Sequence, residues 1–170
     1  MFDTLQVLTA LLVAVAMSLA LAHALELPGK MRLSKDTYYA IQLIYYPGFT
    51  IGGFAEPAGL ILTIILLFLT PLGTTDFWLT LAALLGLIGM QAVYWLFTHP
   101  VNKFWLHDQK LSGLGSGFFS LGADQSRPQN ETGLADWTNL RDRWEYSHVA
   151  RAGLGLASLT ALVIAVSHGS

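Results

Sequence analysis

Histidines and carboxylates are uncommon inside strongly apolar sequence, yet this chain sets them in four separate apolar segments. His23 and Glu26 lie near the end of the first segment and Glu56 near the start of the second. His99-Pro100-Val101-Asn102 closes the third, and Trp144, Glu145, His148 and Arg151 open the fourth. Residues three or four apart share one face of a helix, so the first and fourth segments each present a polar stripe. Three kinds of chemistry fit these residues. Glu145-x-x-His148 has the spacing found in carboxylate-bridged di-metal bundles, where two such motifs join two further glutamates. Here His23-x-x-Glu26 runs in the reverse sense, and Asn102 stands in place of a third carboxylate. A metal site would use His23, Glu26, Glu145 and His148 and take a transition metal such as iron, copper or zinc. In a metal-free pocket, His23, His99, His148 and Arg151 would instead be catalytic. Glu56, Asn102 and Trp144 would bind a flat, hydroxylated or quinonoid molecule, with Trp95, Trp105 and Trp144 available for stacking. In the third arrangement these groups satisfy one another and fasten a bundle.

The elements that carry these residues are membrane helices. The chain is 54% hydrophobic and 12% charged, where soluble domains carry roughly 25% charged residues. Residues 7–25, 49–70, 77–97 and 149–166 form apolar runs, each close to the ~20 residues needed to cross a hydrocarbon core. The expected fold is all-α: an integral membrane four-helix bundle with a short interfacial helix and a long cytoplasmic loop between helices 3 and 4. It forms a single transmembrane domain over residues 1–170, with helices at about 5–27, 48–70, 77–99 and 137–167. At 1.5 Å per residue the polar groups of all four helices then fall within about 10 Å of one edge of the core. An acid or base in hydrocarbon must turn inward and find a partner, so Glu56 and Arg151 are expected to pair.

Charge sorting fixes the orientation. All nine Lys and Arg residues fall on one side of a four-span arrangement: Lys30, Arg32 and Lys35 in the first connection, Lys103, Lys110, Arg127, Arg141 and Arg143 in the third, and Arg151 at the start of the last helix. The positive-inside rule then places both termini outside the cytoplasm, in a bacterial-type inner (plasma) membrane. Ala22-His23-Ala24 imitates a signal-peptide cleavage site, but residues 1–6 hold Asp3 and no basic residue, so the first run reads as a retained helix. The chain has no cysteine, which excludes disulfides and thiolate ligands, and its net charge of −2 gives no basis for nucleic-acid binding.

Punctuation marks the joints. Leu27-Pro28-Gly29 is expected to end the first helix, and Ser34 to cap a short segment, 35–46, with Tyr38, Ile41 and Tyr45 on one face. Gly48, Gly52, Gly53 and Gly59 would let a neighbouring backbone approach the second helix, and Pro57 would kink it beside Glu56. Residues 71–76 are too short a connection for anything but antiparallel neighbours, whereas 103–142 forms a long one with a glycine- and serine-rich stretch at 111–122. Helical character resumes at 136–146 and is expected to run on into the fourth helix.

His99-Pro100-Val101-Asn102 after a membrane helix, followed by Trp137, Arg143-Trp144-Glu145 and His148-x-x-Arg151, resembles the anthrone oxygenase-like family of four-helix integral membrane proteins, many of them of unknown function. Pro100, Asn102, Trp144, His148 and Arg151 are the matching positions. The resemblance spans most of the topology. It implies oxidation of an anthrone to an anthraquinone by molecular oxygen, with neither metal nor organic cofactor: a base removes an acidic proton and the carbanion reduces oxygen. His23, Glu26 and Glu56 lie outside the matching segments, which marks this chain as a separate branch. The expected function is a membrane-embedded oxidoreductase, oxygenase-like, acting on a lipophilic aromatic or quinone-like small molecule. The alternative is a non-enzymatic accessory subunit or metal-binding protein that meets a partner membrane subunit or a second copy of itself in the lipid bilayer.

The orientation is testable by labelling. A cysteine at Ser126 should react with a membrane-impermeant maleimide only from the cytoplasmic side, and reaction from the periplasmic side alone would overturn it.

Overall fold

The computed structural model describes residues 1–45, 47–105 and 134–168, and all regular structure among them is helical. The helices are α1 (Phe2–Lys30), α2 (Lys35–Gln42), α3 (Gly48–Gly53), α4 (Ala55–Leu69), α5 (Thr75–Val93), α6 (His99–Trp105) and α7 (Leu134–His168). A 3-10 turn, Leu43–Tyr45, follows α2, and a π-helical turn, Tyr94–Thr98, links α5 to α6. Four stretches are long and apolar enough to cross a membrane: Phe2–Lys30, Gly48–Leu69, Thr75–Asn102 and Trp137–His168. Much of the long third connection, including its glycine- and serine-rich stretch, lies outside the described residues.

The first helix does not stop at Leu27-Pro28-Gly29; it continues to Lys30 with Pro28 inside it. A proline has no N–H to give to the carbonyl four residues earlier, but at a helix end one lost bond is tolerable if the last carbonyls are met. They are: Met31 N donates to Leu27 O at 3.0 Å, Arg32 N to Gly29 O at 3.1 Å and Arg32 Nε to Pro28 O at 3.0 Å. This extra turn carries Lys30 onto the face of His23 and Glu26.

The second span is interrupted at Phe54, between α3 and α4, three residues before the proline expected to kink it. The pyrrolidine ring of Pro57 excludes the carbonyl of residue 53, so the break falls one turn ahead. Pro57 itself sits in the first turn of α4, where a missing N–H removes no helical bond. Side-chain caps start α2 and α5. Ser34 Oγ accepts from Thr37 N at 3.4 Å and Thr74 Oγ1 from Phe77 N at 3.2 Å, while Gly73 supplies the left-handed turn (φ 83°) between α4 and α5.

The four spans form a closed circuit, with α1 and α5 each packed against both α4 and α7. Val13, Ala83, Leu87, Met90 and Leu162 fill its centre. A second cluster of Tyr38, Val101, Trp137 and Trp144 closes the end that carries the basic residues, with α2 lying across it. Close approach depends on glycine. A Cβ at Gly59 would lie 3.2 Å from Val13 Cγ2, and one at Gly86 would lie 3.2 Å from the Leu154 carbonyl oxygen. Of the other glycines expected to ease packing of the second span, Gly52 faces Leu19, whereas Gly48 and Gly53 face open space.

Gly86→Val should force α5 away from α7, because its new atoms meet Ser158 Oγ first and, even with that hydroxyl turned aside, crowd the Leu154 carbonyl oxygen and Ser158 Cβ, which cannot turn aside. Overpacking of this kind loses about 1–3 kcal/mol. A lowered thermal midpoint in detergent is the expected outcome, with Gly48→Ala near wild type. An unchanged midpoint for Gly86→Val would show that this contact does not hold the two helices together.

Candidate functional site

Four elements deliver ionisable groups to the basic end of the bundle. The last two turns of α1 carry His23, Glu26 and Lys30 at spacings of three and four. The first turn of α4 carries Glu56, α7 carries Glu145, His148 and Arg151, and α2 with its 3-10 turn adds Tyr38 and Tyr45. Most are deeply buried, with Glu145 0% and Lys30 3% exposed, so each requires a partner close by.

The partners form two clusters. In the first, Arg151 Nη2 lies 2.5 Å from Glu56 Oε2, which is the pairing expected of two charges in an apolar bundle. Arg151 Nη1 also faces His148 Nδ1 at 3.4 Å, and its guanidinium stacks 5.2 Å from the Tyr94 ring centre. In the second, Lys30 Nζ lies 2.9 Å from Glu26 Oε2, 3.2 Å from His23 Nδ1 and 3.5 Å from Glu145 Oε1. Tyr45 donates to Glu26 Oε2 at 2.6 Å and Tyr38 to Glu145 Oε1 at 2.8 Å. The Tyr45 and Trp144 rings lie 4.8 Å and 5.0 Å from the ammonium. Burial, and the carboxylate each phenol serves, raise Tyr38 and Tyr45 far above the ordinary tyrosine value, so both remain donors.

The clusters meet at the two histidines, whose ring centres are 4.2 Å apart, with Trp144 edge-on to both at 4.9 Å and 4.3 Å. Trp144 is fixed by its Nε1–H, which donates to Asn102 Oδ1 at 2.7 Å. Each imidazole turns Nδ1 toward a cationic donor, Lys30 for His23 and Arg151 for His148. From that network, a neutral ring carries its proton on Nε2.

The expected metal set of His23, Glu26, Glu145 and His148 does not form: among the described residues no group of three or more such side chains is placed to hold a metal ion. The reason is Lys30. Its ammonium occupies the point on which His23, Glu26 and Glu145 converge, and His148 Nδ1 is turned to Arg151 instead.

His99 also departs from the expected convergence. It packs beside Tyr94 and Trp95, with ring centres 5.7 Å and 4.9 Å away. The wide turn Tyr94–Thr98 shifts the helical register, so Thr98 and Asn102 face inward in its place. The side chain of Trp105 lies outside the described residues.

A cavity of about 360 Å³ adjoins the histidines. Tyr45, Phe49, Phe54, Tyr94, Trp95 and Trp144 give it aromatic walls, and His23, Gln42, Glu56, Asn102, His148 and Arg151 its polar ones. Phe54 and Trp95 are 52% and 50% exposed on the outside of the bundle, so the cavity opens sideways between the α3–α4 break and the π-helical turn. Four buried atoms of its wall residues have no hydrogen-bond partner: Gln42 Nε2, Glu56 Oε1, His148 Nε2 and Arg151 Nε. Buried polar atoms are rarely left so, and a group of them around one cavity makes it the candidate binding site.

Lys30, Tyr38, Tyr45 and Gln42 were not singled out by the sequence as site residues. The signal for Lys30 was its place four residues after Glu26 and seven after His23, which matters only if the helix survives Pro28. Comparison of the chain with protein-family models, curated proteins and solved structures gives no match. The site therefore has to be read from its own chemistry.

Removing one member of the Arg151–Glu56 pair leaves a buried unmatched charge, a loss of about 3–5 kcal/mol in comparable sites. Arg151→Ala should unfold at a markedly lower temperature than wild type, and Arg151→Ala with Glu56→Gln should recover part of the loss. If Arg151→Ala matched wild type, the pair would not be buried as described.

Proposed function

We propose that this chain is a membrane-embedded oxidoreductase of the oxygenase type, acting on a lipophilic aromatic or quinone-like molecule in the cavity beside His23 and His148. The observation that carries the reading is the division of the cavity wall. Aromatic rings line it on one side and suit a flat apolar body, while two imidazoles and an ion pair on the other supply proton donors and an acceptor. Its volume falls within the range of small-molecule sites, roughly 300–1,000 Å³. The sideways opening at Phe54 and Trp95 supports access from the acyl chains. The likeness to the anthrone oxygenase-like family adds to this, because Asn102, Trp144, His148 and Arg151, four of its five matching positions, border the cavity.

For a substrate CH2 flanked by aromatic rings opposite a carbonyl, the proposed reaction is CH2 plus O2 giving C=O plus H2O. A base takes one C–H proton, and the enolate passes its electrons to dioxygen. One oxygen atom is retained as the new carbonyl and the other leaves as water. In this reading Glu56 accepts the proton, and its unpartnered Oε1 supports that role. His23 and His148, as Nε2–H imidazoles, would donate to the enolate oxygen and so stabilise the developing negative charge. In the membrane, the basic end of the bundle lies at the cytoplasmic face, both termini lie outside, α2 rests along the interface on its tyrosine face, and the connection 103–142 is cytoplasmic.

Purified protein in lipid nanodiscs should consume oxygen when given anthrone, with one labelled oxygen atom from ¹⁸O₂ in the product. His148→Ala and His23→Ala should lower kcat/KM by about 10²–10⁴ while remaining folded. No oxygen uptake above the uncatalysed rate with anthrone or with a hydroquinone, or full turnover in both variants, would overturn the reading.

A further inference from the structure

A shallow, open cleft lies on the outer side of the same helix ends, bounded by Glu26, Gly29 and Lys30 of α1 and by Ile41, Ile44 and Tyr45 beyond it. Tyr45 borders both this cleft and the inner cavity. Between the two runs a thin partition. Glu26 stands on its outer side with its side chain 42% exposed. His23 stands on the inner side, and Lys30 bridges them, 2.9 Å from Glu26 Oε2 and 3.2 Å from His23 Nδ1.

We propose that Lys30 is a proton relay across this partition, joining the outer cleft to His23 and through it to the cavity. The chemistry follows from the two residue types. An ammonium can release a proton and regain it, and an imidazole can accept at one nitrogen while releasing from the other. In the inward step the His23 Nε2–H bond breaks as its proton passes to an acceptor in the cavity. In the same step a Lys30 Nζ–H bond breaks and an Nδ1–H bond forms, so the ring never carries a negative charge. The neutral amine recovers a proton from the outer cleft through the Glu26 carboxyl group. The outward step is the reverse and restores the starting tautomer, so a proton borrowed at one stage of a reaction is returned at another. Glu145, 3.5 Å from Nζ and held by Tyr38, keeps the lysine beside the histidine without opening to the cleft.

The relay rests on the proposed function only in that the cavity houses proton chemistry, and its test requires no substrate. The experiment uses the whole chain in nanodiscs with ¹⁵N-labelled histidine and follows exchange of the His23 ring N–H into D₂O, assigned by its loss in His23→Gln. Lys30→Arg keeps the positive charge and the donors but does not release a proton at neutral pH, and it should slow the exchange roughly tenfold or more. Glu26→Gln, which leaves Lys30 facing Glu145, should slow it as well and decides the matter if Lys30→Arg does not fold. Wild-type exchange in the folded variants would overturn the relay. So would an equal slowing at the Trp144 indole N–H, which would indicate general tightening. Intact exchange behaviour without anthrone turnover would remove the proposed substrate and leave the relay standing.

Discussion

A charge inside an apolar bundle must be matched within a few ångströms, and the basic end of this protein is arranged around that requirement. Taking an ion out of water carries an effective penalty of several kcal/mol. Lys30 and Arg151 both lie at the basic end of the bundle, and each gathers what it needs. Arg151 takes Glu56 from the facing helix. Lys30 takes Glu26 from its own helix and Glu145 from α7. These carboxylates recruit further donors in turn. Tyr38 is wholly buried because its hydroxyl serves Glu145, and this draws α2 across the bundle end. The placement of the short helix thus follows from a charge on another element, since its own amphipathic pattern leaves several orientations open.

The cavity arises because two helices are irregular at the same level. Pro57 breaks the second span at Phe54, and the third widens into a π-helical turn at Tyr94–Thr98. Regular helices in this circuit would pack side chain against side chain, as α5 and α7 do around Gly86. Two departures from regularity, on α4 and at the end of α5, open a space there and expose its rim at Phe54 and Trp95. π-helical turns are frequently found at functional sites because they turn side chains in directions a regular helix does not reach. Here the turn has moved Asn102 inward to hold Trp144.

The sequence made some of this legible and concealed the rest for definite physical reasons. The four spans could be read because an apolar run of membrane length has few other uses. Glu56 with Arg151 could be read because neither charge has an inexpensive alternative in lipid. Lys30 was concealed twice. Proline and glycine just before it signal a helix end, and a basic residue just past a span signals topology, so it read as part of the first connection. Its capture by three acceptors depends on one additional helical turn. His99 was misplaced because face assignments assume about 3.6 residues per turn, and a single π-helical turn voids that assumption downstream. The metal reading finds no support among the described residues, since residues spaced as ligands prove equally suited to surrounding an ammonium.

The same charge matching constrains what the cavity can hold. Arg151 is already neutralised by Glu56, and Lys30 by Glu26 and Glu145, so an anion entering the cavity would meet no uncompensated positive charge and would forfeit its hydration. A cation would meet two guanidinium- or ammonium-bound histidines whose Nδ1 lone pairs are already engaged. What the wall still offers is one carboxylate oxygen and several N–H groups, at Arg151, His148 and Gln42. Such a set suits an uncharged molecule that carries both a carbonyl and an acidic hydrogen. On the proposed reading, negative charge then appears only after Glu56 has taken a proton. At that moment Arg151 loses the carboxylate it was paired with, and its guanidinium becomes available, through the adjoining imidazole, to the newly formed anion. The ion pair that keeps the bundle stable would in this way become the charge that stabilises the intermediate.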